Sequence, residues 1–279
     1  MFFRVNAKKI VQSWYLRRKC FYTMRTGFTL ILTMMVFALS AQNFYIAHRG
    51  ASYDAPENTV ASAKLAWEAG ADAVEIDIHL ASDNRVMVIH DKETHRTCSG
   101  KNLVVKSTPS VVLRDLDAGS WKDPKFKGEK IPYLEEILAT LPEGKTLVVE
   151  IKCGSEVVPH LERIMAKCTR KSQVVFISFG WDTMVDIKKT FPDNKAYWLS
   201  GSKQAAIKRL DEVVATGLNG VNMQFSAIDE ELVSMAKAKN LEVLAWTVDD
   251  PQEARRLTAL GVTHITTNRP AWLKQQLGN

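Results

Sequence analysis

Two short strings hold most of the chemistry in this chain. VEIDIH sets Glu75 and Asp77 two residues apart, and VVEIK sets Glu150 and Lys152 at the same spacing. On a strand, positions i and i+2 share a face, so each pair points the same way. The residues around them are mostly Val, Ile and Leu, and charge is retained inside such strands only against a partner. Three carboxylates converging from neighbouring strand ends make a site for a hard, oxygen-seeking divalent cation, Ca²⁺ or Mg²⁺.

His48 closes the apolar run of IAHRG, and His90 closes that of VMVIHD. Histidine titrates near neutrality, so the two can supply one base and one acid. Arg49 and Lys152 add fixed positive charge. Together these groups call for an anionic substrate that needs two proton transfers. A phosphodiester meets that need. Cationic groups neutralise the phosphoryl oxygens, one histidine activates the nucleophile, and the other protonates the leaving alkoxide.

Bringing these residues to one rim requires a particular scaffold. From residue 44 the chain alternates strand-like and helical runs. The strand-like runs are 45–47, 74–78, 147–151, 174–178, 196–199, 220–223, 241–248 and 264–267. Asn58 is placed to cap a helix that runs to Ala69 and stops at Gly70. Ser155 opens another, and Asp250-Pro251 reads as a cap with Pro at the first helical position. Eight strands separated by helices predict an α/β fold, a (β/α)8 TIM barrel, in which active sites sit at the C-terminal ends of the strands. A ninth run, 86–90, follows the second strand too closely for a parallel crossover. It reads as the return arm of a hairpin turning at Asp83-Asn84, with Ser82 opposite Arg85 and hence Asp77 opposite His90. Residues 91–132 have little periodicity and read as a small insertion after that hairpin.

Longer strings now become meaningful. HRG (48–50), PENT (56–59), GADAVEIDIHLASD (70–83), VIHD (88–91) and EIK (150–152) resemble the glycerophosphodiester phosphodiesterase family. So do DAGSW (117–121), IPYLEEIL (131–138), AWTVDD (245–250) and the closing ITTNRP. The resemblance covers essentially all of residues 44–273, in order. It implies a barrel with a small insertion that hydrolyses glycerophosphodiesters to sn-glycerol 3-phosphate and an alcohol, using a divalent metal. It implies Glu75, Asp77 and Glu150 as metal ligands, His48 and His90 as the acid–base pair, and Arg49 and Lys152 as phosphate holders. It places Glu57 behind the first loop and Trp246 in the pocket wall. Asn268 stands where the family commonly has Asp, so a hydrogen bond rather than a charge is expected there.

Charge refines the picture. The chain's formal +6 rests on residues 1–41, which hold 7 of the 37 basic residues and no acid; residues 42–279 carry 30 basic against 31 acidic. The basic balance therefore gives no reason to expect nucleic acid as a partner. Phe28–Leu39 is an uncharged apolar run, too short to span a bilayer comfortably, followed by Ser40-Ala41. Residues 1–41 read as a cleavable signal peptide of a periplasmic or secreted protein, with no stable membrane insertion after cleavage. Met24 opens a compact leader of its own, so translation is expected to start there, leaving residues 1–23 untranslated. The competing reading is a membrane anchor at 28–39. Residues 42–279 form the barrel domain. Cys98, Cys153 and Cys168 are too few and too irregular for a disulfide framework or a zinc site.

Bland readings accompany each residue. His79 is expected at the rim, His160 and His264 in structural positions, and Trp67, Trp121, Trp181 and Trp198 in packing; Phe179 belongs to core or pocket. The carboxylates with Arg49 and Lys152 could form a purely structural ion network, at a heavy desolvation cost. Two further functional readings compete with a small-molecule glycerophosphodiester substrate. One is a phosphodiesterase of the phospholipase C or D type acting on lysolipids, against which the highly charged insertion argues. The other is a barrel that binds phosphorylated ligands without cleaving them, against which the complete set of histidines and carboxylates argues.

Overall fold

The computed structural model describes residues 43–98 and 100–278; the expected leader lies outside the described residues. Eight strands pair in parallel and close on themselves. They are β1 (Phe44–Ala47), β2 (Ala73–Leu80), β4 (Thr146–Ile151), β5 (Val174–Ser178), β6 (Ala196–Ser200), β7 (Gly220–Gln224), β8 (Glu242–Trp246) and β9 (His264–Thr267), with β9 returning to β1. Helices return the chain between most of them: α1 (Val60–Glu68), α4 (Val158–Met165), α5 (Trp181–Thr190), α6 (Lys203–Thr216), α7 (Glu230–Ala238), α8 (Pro251–Ala259) and, last, α9 (Pro270–Gln276). The fold is the predicted TIM barrel.

Strand alternation explains why acid sits inside it. On β2, Val74, Ile76 and Ile78 face the helical layer and join the main core. Ala73, Glu75 and Asp77 therefore face the barrel axis. Much of that interior is apolar, built from Ile46, Ala73, Val148, Ile177, Tyr197, Leu199 and Leu244. Two residues further along β2, and again along β4, the inward positions turn to carboxylates. In register, Asp77 lies beside Glu150.

β2 outruns its neighbour. β1 pairs only with Ala73 and Val74, and further along β2 the edge beyond β1 takes an antiparallel arm, β3 (Val86–Val88). The hairpin register differs by one residue from the sequence reading. Ile78, His79 and Leu80 face Val88, Met87 and Val86, and Ala81 N donates to Arg85 O at 2.9 Å. The loop is three residues, Ser82–Asn84, with Asn84 in the left-handed region at φ 63°. Such three-residue loops end on a left-handed residue, for which Asn is suited. Asp77 therefore meets Ile89, whose N–H donates to Asp77 O at 3.0 Å, and not His90. The pleat ends at Val88, which frees the next residues to turn toward the rim.

Between β3 and β4 lie a few short elements, among them α2 (Ser110–Arg114) and α3 (Leu134–Leu138). This segment packs on a satellite core of Ala81, Met87, Ile89, Cys98, Val105, Leu113, Ala118 and Ile131.

The start of α1 also departs from expectation. Thr59, not Asn58, is the N-cap: its side chain accepts from Ser62 N, and Ser62 Oγ accepts from Thr59 N. This reciprocal pair is a capping box. Asn58 is left over at φ 58° and has another partner. Asp250 with Pro251 caps α8 as predicted.

Candidate active site

The first loop is shaped by two consecutive left-handed residues, Arg49 (φ 57°) and Gly50 (φ 78°). A Cβ at Gly50 would lie 2.6 Å from the Ser62 backbone, so only glycine lets this loop lie against α1. The turn aims the Arg49 N–H at Glu75 Oε2 (2.9 Å) and its side chain at Glu57 Oε1 (2.8 Å) and Asp77 Oδ2 (3.4 Å).

Glu75, Asp77 and Glu150 each place an oxygen within 4.8 Å of the others. Asp77 is fully buried, and Asn58 bonds it twice: the amide donates to Oδ2 (2.8 Å) and the carbonyl oxygen accepts from Asp77 N (3.0 Å). Lys152 Nζ donates to Glu150 Oε1 at 2.9 Å and lies 3.7 Å from Asp77 Oδ1. Glu75 Oε1 and Asp77 Oδ1 are buried with no hydrogen-bond partner. Burial raises Glu75 well above the usual carboxylate range, helped by repulsion from Asp77 and Glu150. Burial, then Asp77, push Glu150 up to about 7. Orphaned buried oxygens on hard donors, with less positive charge nearby than their own, are what a bound divalent cation would satisfy. The donor set fits such an ion.

His48 and His90 come to the same cavity from different strand ends. His48 Nδ1 lies 2.7 Å from Asn268 Oδ1, which also accepts from Ser52 Oγ (3.1 Å). Asn268 Nδ2 donates to Asp249 Oδ2 at 2.6 Å. That donation fixes the amide orientation, so Oδ1 faces His48 and the His48 proton lies on Nδ1. Burial, followed by the Arg49 charge, lowers the His48 pKa. His90 Nδ1 lies 2.6 Å from Asp91 Oδ1, and its Nε2 lies 3.2 Å from Lys152 Nζ.

His48 and His90 line a cavity of about 130 Å³ together with Ile177, Phe179, Leu199, Asn222, Trp246 and Thr266. Phe179 meets Trp246 edge-on at 5.7 Å, and the Trp246 indole donates to Asn222 O at 3.1 Å. Asn222 Oδ1 is buried without a partner. A second, wider cavity of about 540 Å³ adjoins it, lined by His79, Asp91, Lys92, Glu93, His95 and Arg96. His90 and Lys152 line both.

Of the residues predicted from sequence, His48, Arg49, Glu75, His90, Glu150, Lys152 and Trp246 line the inner cavity, and Asp77 is buried against Arg49 and Lys152. Glu57 and Asn268 stand behind Arg49 and His48. Asn222, Asp249 and Arg96 were not expected at the site, and Asn58 was expected only as a helix cap. The Thr59–Ser62 spacing of a capping box was the signal that Asn58 was free for other work. His79 is buried, its Nε2 3.0 Å from His90 O. His264 packs on Phe44 at the start of β9, and His160 lies on α4 beside Arg163.

The sequence profile of the glycerophosphoryl diester phosphodiesterase family matches residues 48–272. A glycerophosphodiester phosphodiesterase from Caldanaerobacter subterraneus is 33% identical over 82% of this chain and 95% of its own. One from Bacillus subtilis is 29% identical over 81% and 83%. The structure of an Oleispira antarctica phosphodiesterase in complex with the product sn-glycerol-3-phosphate aligns with a TM-score of 0.80, at 29% identity, over 86% of this chain and 98% of that one. Profile, sequence and architecture converge over the same span, and the chain belongs to the glycerophosphoryl diester phosphodiesterase family, a family of phosphoric diester hydrolases.

Proposed function

We propose that this protein hydrolyses small glycerophosphodiesters to sn-glycerol 3-phosphate and an alcohol, with His48 as base and His90 as acid. The observation that carries the reading is the meeting of both histidines with the three clustered carboxylates at one cavity. Glu75, Asp77 and Glu150 would hold Ca²⁺ or Mg²⁺, which supplies positive charge against the phosphoryl oxygens. Arg49 and Lys152 supply fixed charge beside it.

The two cavities suggest how the substrate lies. The inner one suits the glycerol phosphate moiety: Arg49 and Lys152 offer charge to the phosphate, Ile177, Phe179, Leu199 and Trp246 offer apolar surface to the glycerol carbons, and Asn222 Oδ1 offers an acceptor for a glycerol hydroxyl. The outer cavity suits the leaving alcohol, and it touches His90 but not His48. His90, its Nδ1 held by the Asp91 carboxylate, is thus the ring placed beside the leaving alcohol, to hand a proton to the departing alkoxide. His48, neutral and protonated on Nδ1, keeps Nε2 free to take a proton from the attacking hydroxyl. That hydroxyl belongs either to water, giving sn-glycerol 3-phosphate at once, or to the glycerol C2 position, giving a cyclic phosphate that water then opens; both paths use the same groups. The product complex of the Oleispira antarctica relative supports the choice of sn-glycerol 3-phosphate as the retained half. The apolar run at 28–39 supports export of the barrel to the periplasm or beyond; among the described residues no helix is long and apolar enough to cross a membrane.

Phosphorus NMR of glycerophosphocholine turnover tests the reading. The diester resonance should give way to glycerol 3-phosphate. Phosphocholine as the product would reverse the assignment of the two cavities.

A further inference from the structure

Among the described residues Arg96 bonds the carboxylates behind both His90 and Arg49. Its Nε donates to Asp91 Oδ2 at 2.7 Å and its Nη2 to Asp91 Oδ1 at 3.2 Å. Its Nη1 donates to Glu57 Oε2 at 2.7 Å and its Nη2 to Glu57 Oε1 at 2.8 Å. One guanidinium thus forks onto two carboxylates at once, a geometry available to Arg and not to Lys. Each carboxylate has a second engagement. Asp91 Oδ1 faces His90 Nδ1 at 2.6 Å, and Glu57 Oε1 accepts from Arg49 Nη1 at 2.8 Å.

We infer that Arg96 is a positioning residue for the reaction, setting His90 through Asp91 and Arg49 through Glu57. The inference rests on the proposed roles of His90 and Arg49. Asp91 and Glu57 lie on different loops, one entering the insertion and one following β1, and Arg96 fixes the distance between them. The Arg96 side chain is 44% exposed, and ion pairs that open to water contribute little to stability. A bidentate bond on each side does, however, restrict where the two carboxylates can point. The side-chain bonds of Asp91 among the described residues run only to His90 and Arg96. Without Arg96, Asp91 is free to swing with solvent, and the His90 ring loses its fixed plane. Glu57 then keeps Arg49 as its single partner and loses the bond that holds it from the insertion side.

A mutant cycle tests the inference by separating the two arms. Steady-state kcat and KM on glycerophosphocholine are measured for Arg96→Ala, Asp91→Asn, Glu57→Gln and the two double variants, with melting temperatures alongside. Arg96→Ala should lower kcat by roughly 10- to 100-fold, the usual effect of losing an orienting partner, and raise KM several-fold. In the Asp91→Asn background the same change should lower kcat no further and still raise KM. In the Glu57→Gln background it should leave KM alone and still lower kcat. Arg96→Lys, which cannot fork to both carboxylates, should recover one arm at most. If Arg96→Ala folds poorly, Arg96→Lys and Arg96→Gln enter the same cycle. Kinetics within twofold of wild type, or a loss that multiplies unchanged in both backgrounds, would overturn the role. Wild-type protein that fails to turn over glycerophosphodiesters would instead defeat the functional reading beneath it.

Discussion

Asn58 and Asp77 bond each other twice, side chain to side chain and side chain to backbone, 19 residues apart and both buried. Asn58 thereby holds the most buried carboxylate of the cluster from beneath, in a left-handed conformation that Asn tolerates. Asn58→Gly keeps the backbone and loses the amide, and should cost about 1–3 kcal/mol for the stranded polar groups. Asn58→Ala adds the left-handed penalty, a further ~1 kcal/mol. Both should weaken divalent-cation affinity. Denaturant melts of the two variants check the difference; equal stability would show that the backbone conformation there is unstrained.

The carboxylate cluster predicts an unusual sign. Glu75, Asp77 and Glu150 repel one another, so saturating Ca²⁺ or Mg²⁺ should stabilise the fold. At a hundredfold excess over Kd the gain is about 2.7 kcal/mol, or roughly 5–10 °C in melting temperature for a domain of this size. Glu75→Gln should abolish that shift. In chelator, the same variant should melt no lower than wild type, because one of three crowded anions is gone. A large loss of stability in chelator would mean that Glu75 is a structural ion-pair partner instead.

His48 predicts the acidic limb of the pH profile. A base must be neutral to work, and burial with Arg49 lowers the His48 pKa. The nearby carboxylates oppose this, and a bound cation would cancel part of their pull. kcat/KM should therefore hold to a pH below the ordinary histidine value before falling. Asn268→Ala should lower kcat by roughly 10- to 100-fold by releasing the ring, without moving the limb upward. A limb above neutrality would exclude His48 as the base.

The two histidines should part on leaving-group ability. His90→Ala should reduce turnover of glycerophosphocholine by roughly 10²- to 10⁴-fold, the range for a lost general acid. With a nitrophenol leaving group, which needs no proton, most of that loss should vanish. His48→Ala should be equally slow on both substrates. Equal losses for His90→Ala would exchange the roles or remove them.

How much of this could be read in the chain depends on what each level of structure uses. Period-two alternation on β2 was enough to place Glu75 and Asp77 inward, because a buried parallel strand leaves no other use for the pattern. Strand existence and the barrel followed from the same periodicity. The hairpin register did not, because Ser82–Asn84 can form a two- or a three-residue loop, and the choice depends on Asn84 adopting a left-handed conformation. The cap of α1 failed for a related reason. Asn58 is a good cap by type, but the Asp77 amide and carboxylate compete for it, and that contact spans two elements. Arg96 was invisible because its partners lie 5 and 39 residues away on loops without period. His90 reached the site although its predicted opposite number was wrong, because β3 ends before it and its position depends on the loop, not the ladder.

The most direct measurement is glycerol 3-phosphate release from glycerophosphocholine by the purified protein, in chelator and then with Ca²⁺ or Mg²⁺ restored, beside His90→Ala. Release that vanishes in chelator, returns with the ion and is lost in the variant is the predicted result. A folded, ion-binding protein that releases nothing, or one indifferent to chelator, would contradict it, and lysolipid vesicles would be the next substrate.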